Sequence, residues 1–367
     1  MKKRITILSL LVIGAILLAA CGGAAEEAAP ADDAAAEEAP AEEAEEEAME
    51  EDKVVAVYII GGTLGDKSFI DSANRGLTKA QEELGIEYRY VEASSDTTKI
   101  NAAFDDALND PEIDIIIQSQ GDFTETLPEV APEYPDKFFV AFDNPVAYDQ
   151  CSDGCPNVYA MQYAQNEGSY LAGYYAGLMS ETGIIGAVGG MDIPVINDFM
   201  VGYVQGAGEA GIPEENVLIQ YAGGWSDPAK GKELALTMYQ QGADIVFQVA
   251  GGTGEGVFYA AEEAGKWALG VDSDQALIIE ETNPEQAAVI LTSMLKNVDN
   301  SMYRFMEMFV NGTVPWGTNE VLGIVEGGVG LAYNKYFDEY TPDDVKEQLL
   351  AVQEQVINGE IEVATAY

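Results

Sequence analysis

Histidine is absent from the sequence, and basic residues are scarce. Only 17 Lys and Arg stand against 64 Asp and Glu in 367 residues, which gives a formal net charge of −47. Without histidine the chain lacks the commonest general base and the commonest metal ligand. So acidic a chain also argues strongly against nucleic-acid binding, because Lys and Arg supply most of the free energy of binding to a phosphate backbone. A solvated acidic surface suited to a salty medium is the simpler interpretation, and an acidic docking patch is the alternative.

Residues 1–20 have a basic start at Lys2, Lys3 and Arg4, followed by an apolar run. A run of about 16 residues is short for a membrane-spanning helix and is typical of a signal peptide. The sequence LLAACG around Cys21 resembles the bacterial lipobox, in which the cysteine is lipid-modified and becomes the new N-terminus. We therefore predict a lipoprotein signal peptide over residues 1–20 and a lipid anchor at Cys21, on the extracytoplasmic face of the cell membrane. An ordinary secretory signal with an incidental cysteine is the alternative.

Residues 22–52 consist almost only of Ala, Glu, Asp, Pro and Gly, and contain no basic residue. Such a segment has too little apolar surface to offset the entropy that is lost on ordering. We predict an acidic disordered tether over residues 21–52, which holds the folded body away from an anionic membrane surface. A helix over part of this segment is the alternative.

Cysteine is scarce as well. Besides Cys21, the chain has only Cys151 and Cys155, in the sequence CSDGC. Outside the cytoplasm a close pair of this kind forms a disulfide by default, and we predict one here. Zinc binding is the alternative, but two cysteines without histidine make a poor zinc site.

One α/β pattern occurs twice in the rest of the chain. Residues 114–122, DIIIQSQGD, and residues 244–256, DIVFQVAGGTGEG, each begin with Asp, continue through an apolar segment of strand length, and reach a Gly before a helix-like segment. Strand and helix signals alternate in both halves, which indicates βαβ units and parallel sheets. Further matches at nearly the same spacing join residues 138–144 to 267–273 and residues 53–62 to 183–190.

The repeat predicts an α/β fold of two lobes, each a doubly wound parallel sheet. Because ligands bind at the carboxyl ends of parallel strands, two facing sheets would place Asp143 and Asp272 around one cleft. A helix-like stretch over residues 167–180 has Gly and Ala at near-helical spacing, which predicts close packing against a neighbour. We assign residues 53–162 and 291–315 to the first lobe and residues 163–290 and 316–367 to the second.

Three classes of function fit such a cleft. A dinucleotide-dependent enzyme would need G-x-G-x-x-G after a strand, and the Gly-rich residues 250–256 lack that spacing. The absence of histidine excludes a Ser-His-Asp triad, and we predict no catalytic residue, no cofactor and no metal. A structural surface protein would not explain the polar and aromatic residues at the strand ends. A tethered solute receptor, which we expect to be a monomer, explains the anchor, the tether and the two lobes together.

Several motifs, in order along the chain, resemble those of one family. They are similar to the basic membrane lipoprotein family of ABC-transporter solute-binding proteins, which includes purine nucleoside receptors. The resemblance covers about residues 53–311. It implies a type I periplasmic-binding fold that closes on its ligand by a hinge, a nucleoside ligand, and ABC permease and ATPase subunits as partners. The motifs are GDKSF (65–69), EGSYLAGYYAG (167–177), AGGTGEGV (250–257), GVDSDQ (270–275) and LTSMLKNVD (291–299).

The resemblance also implies which residues contact the base. Phe69 would form an aromatic wall against it, with Asp66 and Ser68 beside this wall, and Trp225 would stack on the other face. A nucleoside base is flat and apolar on two faces, so two aromatic walls suit it. Phe69 and Trp225 could instead be core aromatics, and Asp66 or Ser68 could cap the helix that follows.

On the sugar side, the resemblance implies that Asp143 and Asp272 accept hydrogen bonds from ribose hydroxyls. Lys296 would reach the sugar and balance the carboxylates. Gly251 and Gly252 would let backbone amides approach closely. The alternative for the two aspartates is to cap a following helix.

One position departs from the family's pattern. The family usually continues DKSF with Asn, whereas this chain has Ile70. If that amide reads the edge of the base, this chain has lost both a donor and an acceptor. The alternatives to a nucleoside are a sugar or another small polar solute in the same fold, or a ligand-sensing surface lipoprotein without transport.

Overall fold

The structure, a computed structural model of the chain, describes residues 53–367. The predicted signal peptide, the lipidation of Cys21 and the acidic tether lie outside the described residues. Among the residues that the structure describes, no helix is both long and apolar enough to span a bilayer.

Strands and helices alternate along the described chain. The first half contains β1 (Val55–Ile60), α1 (Phe69–Leu84), β2 (Glu87–Glu92), α2 (Thr97–Asn109), β3 (Ile115–Gln118), α3 (Gly121–Val130), β4 (Phe138–Phe142) and β5 (Val158–Tyr163). The second half contains α4 (Gln165–Met179), β6 (Ile185–Gly189), α5 (Pro194–Glu209), β7 (Val217–Tyr221), α6 (Pro228–Gln240), β8 (Ile245–Val249), α7 (Glu255–Ala264), β9 (Trp267–Asp272), α8 (Gln275–Glu280), α9 (Pro284–Ala287) and β10 (Ile290–Lys296). The remaining elements are α10 (Val298–Val310), β11 (Thr318–Leu322), β12 (Val329–Leu331), α11 (Lys335–Tyr340) and α12 (Asp343–Ile357).

The two halves build sheets with the same strand order. The first sheet runs β2-β1-β3-β4-β5-β11, and all of its neighbouring strands are parallel. The second runs β7-β6-β8-β9-β10-β12, in which only β12 is antiparallel to its neighbour. The sequence repeat therefore corresponds to a repeated fold. The prediction of two α/β lobes built on parallel sheets is confirmed.

The chain passes between the two sheets three times, after β5, after β10 and after β11. This differs from the predicted lobe segments 291–315 and 316–367. Strand β10 pairs with β9 in the second sheet, and β11 pairs with β5 in the first. The physical reason is that β10 completes the repeated five-strand unit of its lobe, while the outer edge of β5 accepts β11. Helix α10 then packs against α1 of the first lobe.

Helices cover both faces of each sheet, and the central strands are apolar for that reason. Every residue of β1, β3 and β8 is buried, as expected for parallel strands that are covered on two sides. One apolar cluster continues from the first lobe into the second and includes Tyr163, Phe199 and Val298. A separate cluster fills the opposite face of each sheet. The core thus runs through the crossovers that join the lobes.

Helices α4 and α5 cross at close range because glycines stand at their contact. A Cβ atom on Gly206 would overlap the carbonyl oxygen of Tyr170, and one on Gly173 would overlap that of Tyr203. The side chains of Tyr170 and Tyr203 are buried beside this contact. The spacing of small residues in α4 therefore serves close helix packing, as the sequence predicted.

A disulfide joins Cys151 and Cys155 in the loop between β4 and β5, with their Cα atoms 5.6 Å apart. Cys155 is fully buried, whereas Cys151 is partly exposed. Closing so short a loop stabilises the fold by about 2 kcal/mol in the chain-entropy model. The bond therefore supports one loop of the first lobe rather than the fold as a whole.

Replacing Gly206 by Ala should lower the free energy of unfolding by about 2 kcal/mol or more, because the added methyl group meets backbone rather than a movable side chain. Gly208→Ala is the matched control, since Gly208 lies on the same helix, is exposed, and a Cβ there meets nothing within 4 Å. That variant should be unchanged or stabilised by up to about 1 kcal/mol, because Ala is the better helix former. Urea unfolding followed by circular dichroism measures both. Equal stability of the two variants would contradict the close contact at Gly206.

Candidate functional site

Asp143 and Asp272 occupy corresponding positions in the two lobes. Asp143 directly follows β4, and Asp272 is the last residue of β9. Both have a left-handed backbone, with φ of 72° and 63°, a conformation that Asp tolerates better than most residues. Each carboxylate contacts a residue of the other lobe. The carboxyl ends of the two sheets therefore face each other across one interface.

Among the described residues, Lys296 is the only cation that forms an ion pair with either of these carboxylates. It ends β10, its side chain is 2% exposed, and its Nζ atom forms an ion pair with Asp143 of the opposite lobe. The same nitrogen lies 5.1 Å from the ring centroid of Phe69, 5.0 Å from that of Tyr163 and 5.3 Å from that of Phe199. A buried ammonium needs compensation of this kind, and both the carboxylate and the ring faces supply it.

Asp272 is held by a hydrogen bond that also crosses between the lobes. The Ser68 hydroxyl donates to Asp272 Oδ2, and both residues are buried. Burial raises the pKa of Asp272 to about 7, although the Lys296 charge and the Ser68 hydrogen bond oppose the rise. The carboxylates of Asp66 and Asp143 add a smaller repulsion. The site thus contains one carboxyl group that titrates near neutral pH.

Asp66 supports the loop before α1. Its carboxylate accepts from the amides of Ser68 at 3.0 Å, Ile70 at 3.0 Å and Asp71 at 3.1 Å. Asp71 in turn accepts from the amides of Gly65 at 2.8 Å and Lys67 at 2.9 Å. These bonds occupy most of the acceptor capacity of Asp66. Asp66 therefore caps α1, which is the role that the sequence offered as the alternative to ligand binding. Through its bond to the Ser68 amide, Asp66 also positions Ser68.

The predicted second aromatic wall lies at the carboxyl ends of β6 and β8. The indole of Trp225 packs so closely on Gly190 that a Cβ atom there would overlap the ring. The carbonyl oxygen of Trp225 accepts from the amide of Thr253 at 2.9 Å. Gly251, whose φ is 54°, and Gly252 border the same indole and carbonyl. Trp225 and the glycine turn therefore form one unit, separate from Phe69, which stacks on Phe142 with a centroid distance of 5.3 Å.

Further contacts join the lobes on the outer side of Ser68. Lys67 pairs with Glu255 at 2.6 Å, and Arg75 donates to the Ser273 hydroxyl at 2.9 Å. The Gln275 side chain donates to the carbonyl oxygen of Lys67 at 3.2 Å. A surface cavity of about 450 Å³ opens here, lined in part by Lys67 and Arg75. Asp143, Asp272 and Lys296 do not line this cavity, so it lies beside the buried charges rather than around them.

The structure brings together five of the predicted site residues and adds two that the sequence did not reveal. Tyr163 ends β5, and Phe199 lies in the second turn of α5, which follows β6. Tyr163 stands at the carboxyl end of a parallel strand, and this position was the signal that could have found it. Phe199 lies inside the following helix of its lobe, where no local signal marks it. Of the five predicted residues, Ser68 is bonded to Asp272, while Lys296 pairs with Asp143 and lies over the ring of Phe69. The charge of Lys296 links the two groups, since it lowers the pKa of Asp272.

Matches to known proteins cover nearly all of the described residues. Residues 53–366 match the family model described as Bmp, ABC transporter substrate-binding protein PnrA-like. The ABC transporter nucleoside-binding protein BmpA of Lactococcus lactis is 32% identical over 329 residues, which cover 85% of this chain and 89% of that protein. The CD4+ T-cell-stimulating antigen of Listeria monocytogenes is 30% identical over 329 residues, with coverage of 85% and 88%.

The fold has a solved counterpart as well. An ABC transporter solute-binding protein from Aeropyrum pernix matches with a TM-score of 0.74 at 27% sequence identity. The match covers 85% of this chain and 93% of that one. The predicted type I periplasmic-binding fold is thereby confirmed.

Asp272→Asn should make the protein more stable at neutral pH. Because the pKa of Asp272 is raised to about 7, ionisation destabilises the folded state, and this cost grows from about pH 4, where an ordinary carboxyl group ionises, up to pH 7. Asn stays neutral and can still accept from Ser68. The melting temperature of the variant minus that of the natural protein should therefore rise between pH 4 and 7 and level off above. The exposed Asp105→Asn is the control; a pH-independent difference for Asp272→Asn would refute the shift.

Proposed function

The chain belongs to the Bmp family of PnrA-like ABC transporter substrate-binding proteins, and from this premise we propose that it binds a nucleoside between its lobes and delivers it to an ABC permease. The family resemblance of the sequence motifs is confirmed. Its relatives are substrate-binding proteins rather than enzymes. We propose three further properties beyond the family assignment: a nucleoside as the ligand, a lipid anchor and a monomeric state.

The observation that carries the proposal is the interlobe set of Asp143, Asp272 and Lys296 beside Phe69. A ribose offers neutral hydroxyl donors, and carboxylates are strong acceptors for them. A base offers an apolar face, which suits an aromatic ring. The nucleoside-binding relative from Lactococcus lactis supports the same ligand class.

Ligand binding in this site is coupled to closure of the lobes. Asp143 and Ser68 belong to the first lobe, whereas Asp272 and Lys296 belong to the second. A ligand hydroxyl that bonds to Asp143 or Asp272 must share the oxygens that Lys296 and Ser68 now contact across the interface. The ligand therefore enters when these contacts open, and it bridges the lobes when they close. A permease can distinguish the closed, loaded receptor from the open one by shape alone.

A sugar is the second candidate, and one observation favours it. Ile70, which stands where the family usually has Asn, is partly buried and packs on the core. Its side chain reaches so close to Gly62 that a Cβ there would lie within 2.6 Å of Cδ1. This position therefore offers no hydrogen-bond donor or acceptor to the edge of a base.

Calorimetric titration of the ligand-stripped protein separates the two candidates. Guanosine or adenosine should bind far more tightly than ribose or the free bases, because the proposed site contacts both the ribose and the base. Asp272→Ala should weaken nucleoside binding by about 1.5–3 kcal/mol, roughly tenfold to more than a hundredfold, because a buried hydroxyl loses its acceptor. Trp225→Ala should weaken nucleosides without affecting ribose.

Asp274→Ala is the matched control for Asp272→Ala. It removes a carboxylate from the same loop, but one that caps α8 and accepts from the Asn334 side chain. Its effect on nucleoside affinity should be small. Ribose binding as tight as nucleoside binding would overturn the nucleoside and leave the sugar.

The proposed anchor has a direct test in a lipoprotein-processing bacterium. The full chain should appear in the membrane fraction and incorporate labelled palmitate, because Cys21 carries the lipid. Cys21→Ser should abolish the label and release the protein, whereas Cys151→Ser should change neither. A Cys21→Ser protein that stays in the membrane fraction would show that the apolar N-terminal segment, not a lipid, holds it there.

A further inference from the structure

The loop that precedes α1 is held by both lobes at Lys67. The backbone of Lys67 is left-handed, with φ of 52°, a conformation that residues other than glycine rarely adopt. Its amide donates to the Asp71 side chain of its own lobe at 2.9 Å, and its carbonyl oxygen accepts from the Gln275 side chain of the second lobe at 3.2 Å. A rare backbone conformation persists where the surrounding bonds fix it. Both backbone groups of Lys67 are therefore bonded, one of them across the interface.

The donor on the second lobe is itself held in place. Gln275 is fully buried, and its Oε1 atom accepts from the Val271 amide at 2.9 Å and from the Gln248 side chain at 2.6 Å. Because two N–H groups point at this oxygen, the other end of the side-chain amide is the nitrogen, which donates to the Lys67 carbonyl oxygen. The second lobe thus presents a fixed contact point for the loop.

The Lys67 side chain makes a second bond across the interface. Its Nζ atom lies 2.6 Å from Oε1 of Glu255, the first residue of α7 in the second lobe. The two side chains are 34% and 19% exposed, whereas Ser68 and Asp272 are buried. The pair therefore lies at the rim of the cleft, outside the buried contacts. Partial burial also means that salt screens this pair less than a fully exposed one.

The rim pair and the buried contacts respond differently to a ligand. A solute that bonds to Asp143 or Asp272 must share the oxygens that Lys296 and Ser68 contact. The Lys67–Glu255 pair uses none of these oxygens, so it can stay intact when the buried contacts are replaced. A contact that favours the closed state in this way adds to the retention of every ligand that requires closure.

We propose that Lys67 and Glu255 are positioning residues of the ligand site: their ion pair latches the lobes at the rim of the cleft and slows the release of a bound solute. The latch acts through Ser68, the residue after Lys67, which it holds against Asp272 of the second lobe. The role in release rests on the proposed function, whereas the latch between the lobes does not.

The latch is tested without any ligand. Spin labels at Thr98 and Ala229, on the ligand-stripped protein, report the distance between the lobes by double electron–electron resonance. Both residues are exposed and lie at the starts of α2 and α6, which follow β2 and β7, the strands farthest from the crossovers. Glu255→Gln should move part of the distance distribution to longer values, because the rim then lacks its ion pair.

Glu263→Gln is the matched control for this measurement. It removes a carboxylate from the same helix, but one that pairs with Lys232 within the second lobe, also at 2.6 Å. Its distance distribution should equal that of the natural protein. Equal distributions for the natural protein and Glu255→Gln would overturn the latch.

The role in release is tested with adenosine and guanosine by stopped-flow displacement. Glu255→Gln and Lys67→Met should each release the nucleoside that binds about twofold to fivefold faster, which is the range expected for a partly exposed ion pair. The association rate should change little. The double variant should release the nucleoside no faster than either single variant, because one change already breaks the pair. Glu263→Gln should release it at the natural rate.

The two arms separate the possible failures. If the natural protein binds neither nucleoside, the proposed function fails, and the distance distributions alone decide the latch. If it binds one and Glu255→Gln releases it at the natural rate, the proposed function stands and the role of the latch in release is refuted. Additive effects of the two single changes would show that Lys67 and Glu255 act separately, which also overturns the latch.

Discussion

The ion pair between Lys296 and Asp143 is the constraint on which the arrangement of the lobes depends. Lys296 is almost fully buried, and its carboxylate partner belongs to the other lobe. Removing one partner from a buried pair typically costs about 3–5 kcal/mol, because the remaining charge stays desolvated. Parting the lobes therefore requires either water or a ligand to take the place of Asp143. In the proposed function, closure of the lobes and ligand binding both act through this one contact.

The charge around Lys296 also restricts the class of ligand. Burial, together with the charges of Asp66 and Asp143, raises the pKa of Asp272, and among the described residues Lys296 is the ammonium that opposes this rise. An anionic solute would add to that repulsion in a poorly hydrated space. A neutral solute with several hydroxyl donors would relieve it. Both candidates of the proposed function, a nucleoside and a sugar, are neutral solutes of this kind, and aromatic rings beside the carboxylates support the proposed nucleoside.

Much of the fold follows from local patterns that the sequence repeats. Alternating strand and helix signals predicted both sheets, and the matching ends of β4 and β9 predicted that Asp143 and Asp272 would correspond. The placement of β10 and β11 was not predictable in this way, because it depends on which sheet edge accepts each strand. Asp66 was ambiguous because a carboxylate just before a helix can cap it or bind a ligand. Tyr163 could have been found from its place at the end of β5, whereas Phe199 carries no such signal and becomes visible only through its three-dimensional neighbours.

The crossovers between the lobes behave as one hinge because they are bonded to one another. The amide of Ala164, after β5, donates to Leu322 of β11 at 3.0 Å, and Glu167 accepts from the amide of Ile324 at 2.9 Å. The amide of Asn297, after β10, donates to the carbonyl oxygen of Gly328 at 2.8 Å. Lys296 and Tyr163 are the last residues before two of these crossovers. A rotation of the lobes therefore moves the charge and one of its aromatic neighbours directly. The angle of the hinge and the geometry of the proposed site thus depend on the same few residues.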